Sequence, residues 1–201
     1  MESPFTVSAK PGGDIWKQPP SHDVFTAPFN ANVSAPSRTH SSGPLQSLIS
    51  ATLTFTLTYT HQYDQAGLLL TLTKPGSSQK KWIKTGIEYF NNHPRFATVG
   101  CDNFSDWSLA PVPEKDEAAV KSGDKSATIV IEREKSVLGL CWWISRIDDA
   151  DEKVPLRQLC WPFGEDGWEV EVGAAVARPN KDVTEELEAK FENFEVKWES
   201  T

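Results

Sequence analysis

Apolar and polar residues alternate with a period of two along much of this chain. From Ala51 to Thr60 the run ATLTFTLTYT sets Ala51, Leu53, Phe55, Leu57 and Tyr59 against five threonines. Alternation of this kind, with β-branched residues on the wet side, predicts a half-buried antiparallel strand. Gln65 to Thr73 (QAGLLLTLT) is apolar on both faces and predicts a central strand, followed by a turn at Lys74 to Ser78. Lys81 to Phe90 (KWIKTGIEYF) and Arg95 to Gly100 predict two more, joined by the turn Asn91-Asn92-His93-Pro94. Pro111 to Lys125 is rich in proline and charge. It predicts an exposed connection with one turn of helix at Glu114 to Val120.

Ser126 to Arg133 and Val137 to Ile144 then pair as strands, with an acidic turn at Asp148 to Glu152. Leu156 to Trp161 and Trp168 to Val172, running on to Ala177, add two strands. Asp182 to Lys190 predicts a short helix, with Asp182 as N-cap and Glu185 three residues on. Phe194, Val196 and Trp198 alternate with charges in a last strand. About ten strands against one or two short helices predict an all-β, two-sheet antiparallel sandwich. Residues 1–40 are poor in strand signals and predict an irregular segment packing on a sandwich built from residues 41–201.

Composition narrows the function classes. The 201 residues suit one domain, and 38% hydrophobic content with eight Trp excludes a disordered chain. A net charge of -8 argues against nucleic-acid and anionic-membrane partners. No basic start with an apolar core opens the chain, and no stretch approaches 18 apolar residues, so a cytoplasmic protein is expected. Cys101, Cys141 and Cys160 are read as free, buried thiols, too far apart in sequence for a zinc site. His22, His40, His61 and His93 lie at loops or turns without paired spacing, so no metal or cofactor is expected.

Three motifs fall close together: Tyr63-Asp64-Gln65-Ala66-Gly67-Leu68, Trp82-Ile83-Lys84-Thr85-Gly86-Ile87-Glu88-Tyr89 and Phe104-Ser105-Asp106-Trp107-Ser108. In order and spacing the chain resembles the uncharacterised regulation-of-enolase-like family, most strongly from Thr52 to Leu109. Members usually carry an Arg- and His-rich aromatic segment before the first long strand. Here Asp23 to Phe29 lacks the Arg. The resemblance implies a jelly-roll sandwich of the concanavalin A-like lectin/glucanase type, and no agreed reaction.

In KWIKTGIEYF successive side chains face opposite ways. Ile83, Thr85, Ile87 and Tyr89 belong to the core face. Trp82, Lys84, Gly86 and Glu88 share the other. An indole can stack on a sugar, a glycine admits close approach, and the two charges can orient a ligand. The same row also reads as a Lys84–Glu88 surface pair beside an edge indole. Gln65 joins the row if its strand is the neighbour, which turns Asp64 away to tie the preceding turn. Asp106 and Trp107 stand at one end of the same face, each with an alternative structural role.

The leading expectation is a non-catalytic binding or regulatory domain. It would recognise a carbohydrate-type or small metabolite ligand, such as a sugar phosphate, through Trp82, Lys84, Glu88, Gln65, Asp106 and Trp107. Modulation of a metabolic enzyme by contact is a second form of it. The alternative is a glycoside hydrolase or lyase with Glu88 as acid/base. Against it stands the lack of the Glu-x-Asp-x-Glu strand motif usual in glucanases of this fold.

Overall fold

The alternating runs become strands because each has one face to bury and a partner to bury it against. The computed structural model describes residues 4–30 and 42–199. In chain order the strands are β1 (Phe5–Ala9), β2 (Ile15–Gln18), β3 (His22–Phe25), β4 (Phe29–Asn30), β5 (Ser42–Pro44), β6 (Leu48–Leu57), β7 (Gln65–Thr73), β8 (Lys80–Phe90), β9 (His93–Cys101) and β10 (Ser105–Pro111). After helix α1 (Glu114–Ser122) come β11 (Ala127–Ser136), β12 (Gly139–Ile147), β13 (Lys153–Leu159), β14 (Glu169–Ala177) and β15 (Leu187–Trp198). One sheet has the order β1-β15-β6-β11-β12-β13. The other has the order β10-β9-β8-β7-β14-β4, with β5 also pairing β14. All their pairings are antiparallel. The chain is a concanavalin A-like sandwich. Among the described residues no helix is long and apolar enough to cross a membrane.

The core lies between the sheets. Leu53 and Phe55 of β6, Ile129 of β11 and Trp142 of β12 face Leu68 and Leu70 of β7, Ile83 and Ile87 of β8 and Val172 of β14. The predicted parity of KWIKTGIEYF holds, with Ile83, Thr85, Ile87 and Tyr89 buried. Helix α1 covers Glu114–Ser122, with acidic residues in its first turn and Gly123 as left-handed cap (φ 82°).

The sequence expectations fail at four places. The helix expected at Asp182 to Lys190 is not formed, because Leu187 already opens β15. Its alternating Leu187, Ala189 and Phe191 bury against β6 and β1, and this pairing outweighs a capping-box pattern. Val137 and Leu138 are the fully exposed tip of the β11–β12 hairpin rather than the start of a strand. Cys160 is exposed, just past the end of β13, while Cys101 and Cys141 are buried.

The fourth difference matters most for function. The first thirty residues, expected to be irregular, hold four strands. Strand β1 extends the first sheet beside β15, and β2 and β3 form a hairpin. The boundary expected at residues 40 and 41, and His40 itself, lie outside the described residues. The hairpin and its flanks lie on the second sheet's outer face. There Ile15 and Ala27 make a small second core with Leu69, Trp82, Val99, Cys101 and Ala177.

Candidate functional site

The register of β7, β8 and β9 decides which side chains share the outer face. Gln65 lies opposite Glu88, Gly67 opposite Gly86, Leu69 opposite Lys84, and across β9 Lys84 meets Val99 and Glu88 meets Arg95. On β10, Trp107 lies opposite Val99. One patch of this face is open. Asp14, Trp16 and Gln18 from the N-terminal hairpin, Gln62 and Tyr63 from the β6–β7 loop, and residues 179–182 from the β14–β15 loop wall a cleft of about 590 Å³ around Lys84, Glu88 and Trp107.

Two loops of that wall share one anchor. Asp64 and Arg178 are both buried and joined by paired contacts, Nε to Oδ1 at 2.9 Å and Nη2 to Oδ2 at 2.8 Å. Asp64 Oδ2 also accepts from the backbone N–H groups of Thr60 and His61. Arg178 donates further to the Glu185 carbonyl and the Thr60 hydroxyl. A bidentate pair of this kind fixes both chain segments in register. Tyr63, next to Asp64, sits at φ 69°, a left-handed conformation that costs an aromatic residue energy. Hydrogen bonds hold it there: its N–H donates to the Tyr89 carbonyl at 2.7 Å, and its own carbonyl accepts from the Gln65 amide at 3.1 Å.

Four aromatic rings run along the site. Trp16 meets Trp107 edge-on with centroids 6.2 Å apart, Trp107 meets Phe90 edge-on at 5.1 Å, and Phe90 leans on Tyr63 at 6.0 Å. The Lys84 ammonium lies 3.5 Å from Asp14 and over the rings of Trp16 and Trp82. It thereby pins the hairpin to the sheet.

Glu88 is 6% exposed. Burial pushes its carboxyl up to about 7. Lys84 pulls it down, Asp14 pushes it further up, and the Trp107 indole N–H pulls it down. That N–H lies near Glu88, yet it is buried and meets no partner with hydrogen-bond geometry. An orphaned buried donor calls for a water or a ligand. The floor of the cleft therefore holds a titrating carboxyl and an unused donor side by side.

The six residues singled out from the sequence divide. Lys84, Glu88 and Trp107 meet in the cleft. Gln65 is adjacent, but its amide serves Tyr63, and it lines a cavity of about 30 Å³ between sheet and hairpin. Trp82 is 2% exposed beneath the hairpin and offers no ring for stacking. Asp106 points away from the cleft and pairs with Arg157 of β13 at 2.5 Å. The gap expected at Gly86 is closed by Gly67, since a Cβ on Gly86 would stand 2.0 Å from the Ala66 carbonyl oxygen. Sequence reasoning missed Asp14, Trp16, Gln62, Tyr63 and Lys181. They come from segments without strand alternation, and only the aromatic content of residues 1–40 hinted at a cover.

The chain matches, over residues 1–198, the family described as "Protein of unknown function (DUF1349)". An uncharacterised protein of Emericella nidulans, AN7484, is 35% identical over 184 residues, 90% of this chain and 80% of that protein. A functionally unknown protein of Saccharomyces cerevisiae has the same fold, with a TM-score of 0.69 and 18% identity over 98% of this chain and 89% of that one. The alginate lyase of Klebsiella pneumoniae is similar in fold, with a TM-score of 0.53 and 10% identity over 76% of this chain and 60% of that one.

Proposed function

Because the chain belongs to the DUF1349 family, which has no assigned function, we propose a role read from the cleft itself: a non-catalytic binding domain for a carbohydrate-type or small metabolite ligand. The observation that carries it is the pairing of a buried, titrating Glu88 with the unpartnered Trp107 N–H on the floor of an aromatic-walled cleft. A cleft of about 590 Å³ is within the range of small-molecule sites. Exposed Tyr63 offers a ring for stacking at its mouth. The free thiols and the acidic surface agree with a cytoplasmic role away from nucleic acids and membranes. Regulation of a metabolic enzyme would use the same cleft, with the bound metabolite as the signal.

Thermal shift over sugars, sugar phosphates and glycolytic intermediates tests the reading. A binder should raise the melting temperature of the wild type by several degrees, and should lose that effect with Trp107→Phe and Glu88→Gln. A complete screen without a shift at millimolar concentration defeats it.

A carboxyl titrating near neutrality in a cleft also favours a second reading, in which Glu88 is the acid/base of a glycoside hydrolase or lyase. Glu88→Gln then lowers turnover by orders of magnitude while ligand binding persists.

A further inference from the structure

The two groups on the cleft floor have complementary needs. The Trp107 indole can only donate, and its N–H meets no acceptor with hydrogen-bond geometry although Glu88 lies near. The ionised Glu88 can only accept. A single hydroxyl meets both needs, accepting from the indole and donating to the carboxylate. A phosphate or a carboxylate meets only the first and sets a second negative charge against Glu88.

The charges around the floor point the same way. Lys84, the cation nearest Glu88 on its own strand, is already engaged by Asp14 at 3.5 Å and by the Trp16 and Trp82 rings. Lys181 on the β14–β15 loop lines the cleft without an ion pair among the described residues, and its chain neighbour Asp182 adds a negative charge to the same wall. Arg95, opposite Glu88 on β9, lies outside the cleft lining, and Gln65, opposite it on β7, is neutral. Gln62 and Tyr63 on the β6–β7 loop and Gln18 on the hairpin add uncharged polar groups to the walls. The floor offers hydroxyl-directed hydrogen bonding and stacking, and its own cation, Lys84, is already paired; Lys181 stands on the loop wall.

We infer that the cleft selects a neutral, hydroxyl-rich sugar over sugar phosphates and uronates, one hydroxyl bridging Trp107 Nε1 and the Glu88 carboxylate, so that binding expels a proton. This rests on the reading of the cleft as a ligand site and adds the ligand's charge and the direction of proton flow. The ligand prefers the ionised carboxylate, so affinity rises with pH and levels off once Glu88 is ionised in the free protein. Between pH 6 and pH 8 the rise is about tenfold.

Titration calorimetry of the full chain tests this with glucose, galactose, mannose, N-acetylglucosamine, glucose 6-phosphate and glucuronate. Each is run at pH 6, 7 and 8, and at pH 6 in two buffers of different ionisation enthalpy. The expected result is a neutral sugar that binds about tenfold tighter at pH 8 than at pH 6 and releases close to one proton at pH 6. Glu88→Gln should weaken that binding and flatten its pH dependence. Trp107→Phe should weaken it and keep the slope. The buffer comparison uses the wild type alone, so a variant that folds badly leaves the test intact. Tight binding of the phosphate or uronate, weakening as pH rises, overturns this inference while leaving the cleft a ligand site. Failure of all six compounds to bind overturns the inference and counts against the reading it rests on.

Discussion

Two carboxylates at the same end of the second sheet, Asp64 and Glu88, meet burial in opposite ways. Asp64, at the entry to β7, is wholly enclosed and surrounded by donors: the Arg178 guanidinium, two backbone N–H groups and the Thr60 hydroxyl. Glu88, near the end of β8, is nearly as buried. It faces a lysine already committed to Asp14 and an indole N–H that stops short of hydrogen-bond geometry. A buried charge with its donors in place is a structural joint, and one without them is held towards its neutral form and left free to respond. The joint positions the two loops that wall the cleft, and the responsive group lies on its floor.

Breaking the joint should have the largest effect. Arg178→Ala leaves the Asp64 carboxylate buried without its guanidinium and should cost about 3–5 kcal/mol in denaturant unfolding. A loss under 1 kcal/mol would mean that the two carboxylates do not differ as described.

Next comes the frame on which Glu88 sits. Gly86→Ala drives a Cβ into the Ala66 carbonyl and Gly67. The β7–β8 pair must separate, at about 3 kcal/mol, the upper part of the usual overpacking range. An unchanged melting temperature would show that the two strands have slack.

Removing the responsive carboxylate should do the reverse of removing the joint. The Glu88 carboxyl titrates near 7 when folded, against about 4.3 in an unfolded chain. Between these values the folded state holds the extra proton. The contribution of Glu88 to stability is therefore complete below about pH 4 and is lost as pH rises through 7. Glu88→Gln removes that slope and should be about 3 kcal/mol more stable than the wild type at pH 8. Parallel stability–pH curves for the two proteins would contradict this.

The smallest effect belongs to a carboxylate that is barely buried at all. Asp106→Asn breaks an exposed pair with Arg157 and should change stability by under about 1 kcal/mol, with no effect on ligand binding in the cleft. A loss of binding in this variant would return Asp106 to the site.

The sequence by itself determined the sandwich and the parity of its strands. Burial of one face imposes period two, which is written locally in runs such as ATLTFTLTYT and KWIKTGIEYF. Parity then placed Lys84 and Glu88 together on the outer face, beside Gln65. It also set Asp64 apart as the residue that ties its turn. It left open what covers that face, because no local pattern records which distant segment lands where. Only the tertiary structure buried Trp82 beneath an N-terminal hairpin and drew Asp106 away to Arg157. It also joined Asp64 to Arg178, 114 residues along the chain. Whether a side chain is a ligand contact or a packing element depends on its solvent access and partners. Those follow from long-range docking of segments, whereas alternation along a strand is fixed by the backbone's own geometry.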